Sequence, residues 1–320
     1  MSRKISPFLA KQESAAVPPD LRAFVEANRA ALEAAHEARR RPLANWEADY
    51  VRGNNLPQFL DLRELSNALF LAAAIEVDAQ RADAAALHIT TGLALSSSLR
   101  QEPSVIAQLV RCALGLQQFK GVQRLLTQAE PSEASLAELA RWLAEERAPE
   151  PMHVGLLGEI RLVSQSELWT EQTGWFGRPL MRLASAGTLE RIGHLLAIQT
   201  GPRPRPAAPD LARSWSPLTR LENLSISGLE RAMDSADMFS SARSVTELAV
   251  ALRRYRRDRE QYPDTLSSLV PEYVASLPID PLTGVPPVYA RDGSGFRLRA
   301  EKNPRLSSTT AAALEWVVPK

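Results

Sequence analysis

The feature that most constrains the fold is a run of apolar residues at helical spacing between positions 61 and 146. Leucine, isoleucine, valine and alanine recur there every three or four residues, which is the period of one helix face. The pattern predicts helices at 61–79, 82–100, 104–116 and 118–128, and a fifth that begins after Pro131. Helices joined by turns this short lie antiparallel, so we expect stacked helical hairpins with no strand longer than three residues.

Two arrangements of these hairpins satisfy the pattern. The alanine-rich faces at 72–74 and 84–86 allow helices to approach closely. The geometry resembles a tetratricopeptide-type array, but the repeat signature is degenerate and a compact bundle fits as well. The predicted fold class is therefore mainly α, as an antiparallel helical-hairpin array or bundle, followed by a small α+β module.

The composition along the chain divides it into four regions. A polar arm (1–17) precedes a helical domain (18–200), which a proline-rich connector (201–216) separates from a helix and the C-terminal module (217–320). Pro202, Pro204, Pro206 and Pro209 exclude a helix from the connector. We therefore expect it to uncouple the regions on either side.

The first predicted helix of the helical domain is amphipathic. It opens at Pro18-Pro19-Asp20, where proline and aspartate suit a first turn. Its apolar residues recur at helical spacing, interrupted by Asn28, and the opposite face carries charged residues of both signs. Those charged residues are Arg22, Glu26, Arg29 and Glu33. Further helices are predicted at 149–172 and 178–200.

The C-terminal module has strong local signals. After one or two helices at 217–240, a helix at about 242–261 ends at Tyr262-Pro263, because proline disfavours a helical residue before it. The segments 287–290 and 296–299 flank a glycine-containing turn and predict a β-hairpin, and 314–318 predicts a third strand. We expect the Tyr262 ring to cover the strand that carries Val288, and Leu266 and Leu269 to join the same core.

The order of these motifs carries a resemblance. Tyr255-Arg256-Arg257-Asp258 precedes Tyr262-Pro263, and Leu277-Pro278-Ile279-Asp280-Pro281 follows. This resembles the globular module of major pseudopilins of type II secretion over about 75 residues. The whole chain resembles large bacterial proteins that carry this module after a helical domain and usually begin with a membrane anchor. The resemblance implies an extracytoplasmic, envelope-associated protein whose anchor would lie upstream of this chain.

The calcium site of the secreted pseudopilins is not expected here. Their loop after the hairpin supplies oxygen ligands, whereas the corresponding stretch, 300–308, offers one carboxylate beside two basic residues. The histidines are not at metal-ligand spacing, and the single cysteine, Cys112, lies in an apolar run. We predict no cofactor and no metal.

Composition argues against two classes of partner. Lys and Arg total 38 against 37 Asp and Glu, and aromatic residues make up 6%, so neither a basic field nor a stacking platform is expected for nucleic acid. No apolar run reaches the roughly 18 residues that a membrane span needs.

The leading functional interpretation is a non-catalytic interaction or scaffold protein with a protein partner and no catalytic residue. The first alternative is an enzyme of unknown class with a groove between the helical domain and the 41–57 loop. The natural lining residues of that groove are Trp46, Tyr50, Asn54, Asn55 and His88. The second alternative is an accessory component of a secretion or pilus-like machine, which rests on fold analogy.

A cluster of arginines is a further candidate surface for a partner or an anion. Arg253, Arg254, Arg256 and Arg257 lie within two turns of one predicted helix. Nearby acidic residues neutralise part of this charge, and a solvated helix face is the simpler interpretation.

Overall fold

A computed structural model describes residues 16–41, 44, 46–50, 55–145, 152–165, 186–198, 201, 217–281, 283–300 and 315–318. These residues are mainly helical, with a small antiparallel sheet near the C-terminus. The predicted mainly α class with a C-terminal β-hairpin is confirmed at this level.

The elements follow one another along the chain with short connections in the first half. The helices are α1 (Pro19–Ala27), α2 (Arg29–Ala38), α3 (Phe59–Asp78), α4 (Ala82–Ser97), α5 (Val105–Gln128), α6 (Glu133–Glu145), α7 (Met152–Gln165), α8 (186–198) and α9 (Pro217–Arg259). A 3-10 turn (Leu266–Leu269) precedes strands β1 (Val288–Asp292), β2 (Gly295–Arg299) and β3 (Glu315–Val318).

The prediction of consecutive helices without a strand in the central region is confirmed for residues 61–145, with one difference. Between 61 and 145, all of which the structure describes, the chain is helical and contains no strand. However, α5 runs unbroken through the break predicted near residue 117. The polar pair Gln117 and Gln118 faces α3 there: Gln117 donates to Asn67 Oδ1 at 2.8 Å, and Gln118 donates to Ser66 Oγ at 3.0 Å. These bonds make polar residues acceptable inside the bundle, so they do not mark a turn.

Helix α9 is also longer than predicted, because 43 residues form one helix across the boundary expected near Ser241. Ser241 is fully buried inside it and donates to Asp280 Oδ2 at 2.8 Å. Upstream of this point Phe239 packs on Phe119 of α5, with ring centroids 5.2 Å apart. Downstream, Leu248 is fully buried in the same apolar cluster.

That cluster joins the central helices to the C-terminal module. It contains buried residues of α4 to α9 and of the sheet, including Ile89, Leu126, Leu139, Leu252 and Phe296. The two regions thus share one core in the described residues, which differs from the expectation that they are uncoupled. The proline-rich connector, 202–216, lies outside those residues.

The sheet has the order β1-β2-β3, and both pairs are antiparallel. Phe296 and Leu298 alternate inward on β2 and are fully buried, as the period of a strand requires. The Tyr262 ring is buried against Phe296, at 4.9 Å and nearly perpendicular, whereas Val288 on β1 is 38% exposed. Tyr262 therefore packs on the predicted hairpin, but on β2, because that strand presents its apolar face to α9. Leu266 and Leu269 join this core as predicted.

Helices α1 and α2, here called the N-terminal helix pair, pack on α3 through two small apolar clusters. Leu21 contributes to one with Leu71, and Leu32 contributes to the other with Leu69. A single turn residue, Asn28, separates α1 from α2. Nowhere in the described part of the chain is a helix long and apolar enough to cross a membrane.

Candidate functional site

A cleft of about 650 Å³ lies where the N-terminal helix pair crosses α3 and α4. The residues that line it come from both sides. They are Arg22, Ala23, Val25, Glu26, Arg29, Leu32, Glu33 and His36 from α1 and α2, and Ala72, Ile75, Glu76, Arg81 and His88 from α3, α4 and the turn between them. Its size falls within the usual range for ligand-binding sites.

Two histidines meet across the cleft. The rings of His36 on α2 and His88 on α4 lie 4.8 Å apart between centroids, tilted by 46°. His36 Nδ1 is 2.7 Å from Thr91 Oγ1, and Thr91 Oγ1 donates its one proton to the Leu87 carbonyl at 2.8 Å. The hydroxyl oxygen can then only accept from His36, which places the imidazole proton on Nδ1 and leaves Nε2 as an acceptor.

Both imidazoles are held neutral near pH 7. Burial, and to a smaller extent the neighbouring His36, lower the pKa of His88 to about 4. Burial and the Arg39 guanidinium lower the pKa of His36. The Nδ1 atom of His88 is buried and has no hydrogen-bond partner among the described residues. Protonation would leave a buried N–H without an acceptor, which also disfavours the charged form.

The charged side chains of the cleft are balanced in sign. Arg29 pairs with Glu26 at 2.6 Å, Arg81 pairs with Glu76, and Arg22 pairs with Asp78 at 3.1 Å. The cleft therefore presents no unopposed positive field for a phosphate. Its chemistry suits a ligand that carries both signs of charge.

Four of these residues form a row along the N-terminal helix pair. Arg22, Glu26, Arg29 and Glu33, here called the charged row, are all exposed and all line the cleft. Their spacing of four, three and four residues is that of one helix face, and all four line the same cleft although the turn residue Asn28 lies between α1 and α2. Beside them, Val25 is partly buried and Leu32 is buried against α3 at the floor of the cleft.

The structure does not bring the predicted groove residues together. Trp46 Nε1 donates to the Ser98 carbonyl at 3.2 Å, and Tyr50 donates to Glu102 at 2.8 Å. Burial, together with this bond to Glu102, raises the pKa of Tyr50. Ser98 follows His88 by ten residues, or about 15 Å along a helix. Trp46 and Tyr50 thus pin the loop to the far end of α4, away from His88.

The other two predicted groove residues from this loop are Asn54 and Asn55. Asn54 lies outside the described residues. Asn55 has a φ of 54°, a left-handed conformation that asparagine tolerates, and forms part of the turn before α3.

The arginine cluster contacts the chain itself. Arg253 is 7% exposed and donates to the Ala129 carbonyl, to Glu130 and to the Tyr262 hydroxyl. Arg254 pairs with Glu133 at 2.7 Å, and Arg257 donates to the Pro131 carbonyl at 2.9 Å. The side chain of Arg256 lies over the Tyr262 ring. Arg253, Arg254 and Arg257 thus fasten α9 to residues 129–133 at the start of α6, so most of the cluster is engaged within the molecule instead of being freely solvated.

The sequence did not predict that His36 lies beside His88, nor that the two histidines share a cleft. The amphipathic pattern of residues 18–35 did show the charged row, but not what it faces. In the part of the chain that the structure describes, no group of three or more His, Cys, Asp or Glu could hold a metal ion. Residues 301–308, where the pseudopilin calcium loop would lie, are outside that part.

No protein-family model, no curated protein and no solved structure matches this chain.

Proposed function

We propose that this protein is a non-catalytic interaction protein that binds a segment of a protein partner in the cleft. The observation that carries the proposal is the charged row, whose four exposed side chains line a cleft beside the partly buried Val25. Helical segments bind proteins in this way, with apolar contacts along a groove and charges that select the partner.

The size and the spacing of the cleft indicate the form of the partner segment. Arg22 and Glu33 are eleven residues apart, a separation that would span about 16 Å, or three turns, on one continuous helix. The cleft accommodates the contact face of a short helix and not a whole domain. A partner helix with charges of opposite order would satisfy the charged row.

Site-specific photocrosslinking tests this proposal. A photoreactive amino acid at Ala23, which lines the cleft, should crosslink to one defined peptide of a partner in native extract. The matched control is Ala31, which is exposed on α2 but does not line the cleft. Equal crosslinking from both positions, or none from Ala23, would refute a binding role for the cleft.

We further propose that the protein works at the bacterial cell envelope, with a pseudopilin-like C-terminal module. The motifs around Tyr262-Pro263 and Leu277-Pro278 support this, as does the order of a long helix followed by a three-stranded antiparallel sheet. A role as an accessory component of a secretion or pilus-like machine rests on the same likeness. Fractionation of cells that express the complete native gene tests it, because recovery in the cytoplasm alone would exclude an envelope role.

An acid–base enzyme is the second candidate. The observation in its favour is the pair of neutral imidazoles in the cleft, with His36 Nε2 available as an acceptor. A substrate whose turnover is lost in His36→Gln, and retained in the charged-row variant Glu33→Gln, would establish this candidate over the first.

A further inference from the structure

We propose that the partner segment in the cleft is the N-terminal helix pair of a second copy of this chain, packed antiparallel about a two-fold axis. The inference rests on the proposed function, because it names the partner of the same cleft. It follows from the order of the charges in the charged row.

The charged row is complementary to itself when it is reversed. Its signs alternate along the chain, from positive at Arg22 to negative at Glu33. The midpoint between positions 22 and 33 is also the midpoint between 26 and 29, at the junction of α1 and α2. An antiparallel copy centred there places Arg22 opposite the second copy's Glu33, and Glu26 opposite the second copy's Arg29.

Two-fold symmetry uses each of these contacts twice. An isologous interface repeats every pair, so four residues give four opposite-sign contacts. A parallel copy in the same register would instead face every charge with its own kind, which costs free energy. The pattern thus selects both the orientation and the register of the second copy.

The charged row is exposed, and its first member, Arg22, already pairs with Asp78 in the same chain. Glu33 forms no ion pair within the described ranges, so it gains a partner in the dimer. Glu26 already pairs with Arg29 in the same chain, and the second copy extends these two pairs into a network of four side chains. Networks of surface charges contribute more than isolated pairs.

The character of the interface predicts a weak dimer that salt disrupts. All four charged residues are exposed, and Leu32 is already buried against α3 within one copy, so the second copy covers little additional apolar surface. Charges at this exposure are screened as the Debye length falls from about 10 Å at 0.1 M salt to about 3 Å at 1 M. We expect dimers at low salt and monomers at high salt.

Charge reversal at the two ends of the row tests the geometry. Sedimentation equilibrium of the full chain should show Glu33→Arg weakening self-association by at least about tenfold, because two attractive pairs become repulsive. Arg22→Glu should do the same. The matched control is Glu37→Arg, which makes the same charge change on exposed α2 surface outside the cleft and should dimerise as the unmodified chain does.

Mixing the two reversed variants gives the decisive result. In a mixed dimer of Arg22→Glu with Glu33→Arg, both end pairs become attractive again, so two variants that each fail to self-associate should associate with each other. Circular dichroism of each variant ensures that the fold is intact. A mixture that stays monomeric overturns the antiparallel geometry, as does an unmodified chain that is monomeric at about 0.1 M salt.

Crosslinking from Ala23 separates this inference from the proposed function. Crosslinks to a different protein, from a chain that is itself monomeric, would retain the binding cleft and exclude the second copy as its occupant. Crosslinks that join Ala23 to the helix pair of another copy support both.

Discussion

The C-terminal region and the N-terminal helix pair are both fastened by arginines, but the surroundings of those arginines differ. Arg253 is buried beside a continuous apolar core that runs from α4 to the sheet. Arg22 is half exposed and bonds to Asp78 beside a cluster of only a few side chains. The guanidinium of Arg253 therefore completes a core, whereas that of Arg22 lies at the edge of the cleft.

The two regions differ in whether they can open without unfolding the rest of the molecule. Removing the C-terminal contacts would expose the inner faces of α5 and α6, so that region belongs to the cooperative core. The helix pair covers only part of α3 and leaves an open cleft, so it belongs to the weakly held end of the stability range. Binding is expected at such an end, and four predictions test the difference between the two regions.

The largest effect is expected at Tyr262, whose ring is buried against Phe296 and whose hydroxyl accepts from Arg253. Tyr262→Ala should lower the free energy of unfolding by about 4 kcal/mol, as large-to-small aromatic changes do in cores. Tyr262→Phe keeps the ring and should cost about 1 kcal/mol. Urea denaturation followed by circular dichroism measures both.

The shared core predicts that Tyr262→Ala weakens the central helices as well. Limited proteolysis should show residues 61–145 becoming sensitive together with the C-terminal module. If only the module is cut, the two regions are uncoupled after all.

Acidification should have the next largest effect, through the histidines of the cleft. The pKa of His88 in the folded state is about 4, below its usual value, so protonation favours the unfolded chain. The free energy of unfolding therefore has its full value above pH 6.5 and decreases as the pH falls towards 4. The loss amounts to about 3 kcal/mol at 1.36 kcal/mol for each pKa unit. His36, whose pKa is also lowered, adds in the same direction.

The matched variant is His88→Gln, which cannot be protonated in this range. Urea denaturation from pH 7 to pH 4 should give a much flatter profile for it than for the unmodified chain. Identical profiles would exclude His88 as the source of the pH dependence.

A smaller effect is expected at Arg253. Arg253→Met keeps the apolar stem but removes the hydrogen bonds to the Ala129 carbonyl and Glu130, and should lower the free energy of unfolding by about 2 kcal/mol. Arg259→Met is the control, because Arg259 lies near the end of α9 in an exposed pair with Glu272 and should leave the unfolding midpoint unchanged. Equal effects of the two variants would show that burial does not distinguish these arginines.

The smallest effect is expected at Arg22. Arg22→Ala removes the pair with Asp78 and a bond to the Val17 carbonyl, at a cost of about 0.5 kcal/mol in total stability. Hydrogen exchange should accelerate in α1 and remain unchanged in α5. Uniform acceleration along the chain would place the helix pair inside the cooperative core.

The sequence predicted those elements whose signals are local. The period of apolar residues gave the helices of the central region, and the glycine-containing turn at 291–295 gave the hairpin. The ends of the helices were harder to predict, because in the sequence a polar residue buried in a helix bundle resembles a turn residue until its hydrogen-bond partner is known. Gln118 and Ser241 are both fully buried and bonded to distant residues, so α5 and α9 are longer than their patterns suggest.

The candidate site was less predictable, since its pairs are distant in the chain. His36 and His88 lie on different helices on either side of the 41–57 loop, and no spacing rule joins them. The arginines of α9 were visible as a cluster, but their partners at 129–133 are more than a hundred residues away. The charged row was visible in full because all four of its residues lie on one short stretch.

The length of α9 has a consequence for the order of events during synthesis. Phe119 of α5 is covered by Phe239 of α9, which leaves the ribosome about 120 residues later. At common rates of elongation this delay is roughly 6 to 24 s, far longer than helices need to form. The nascent central helices therefore present an uncovered apolar face throughout that interval, and a chain truncated before α9 would keep that face and aggregate.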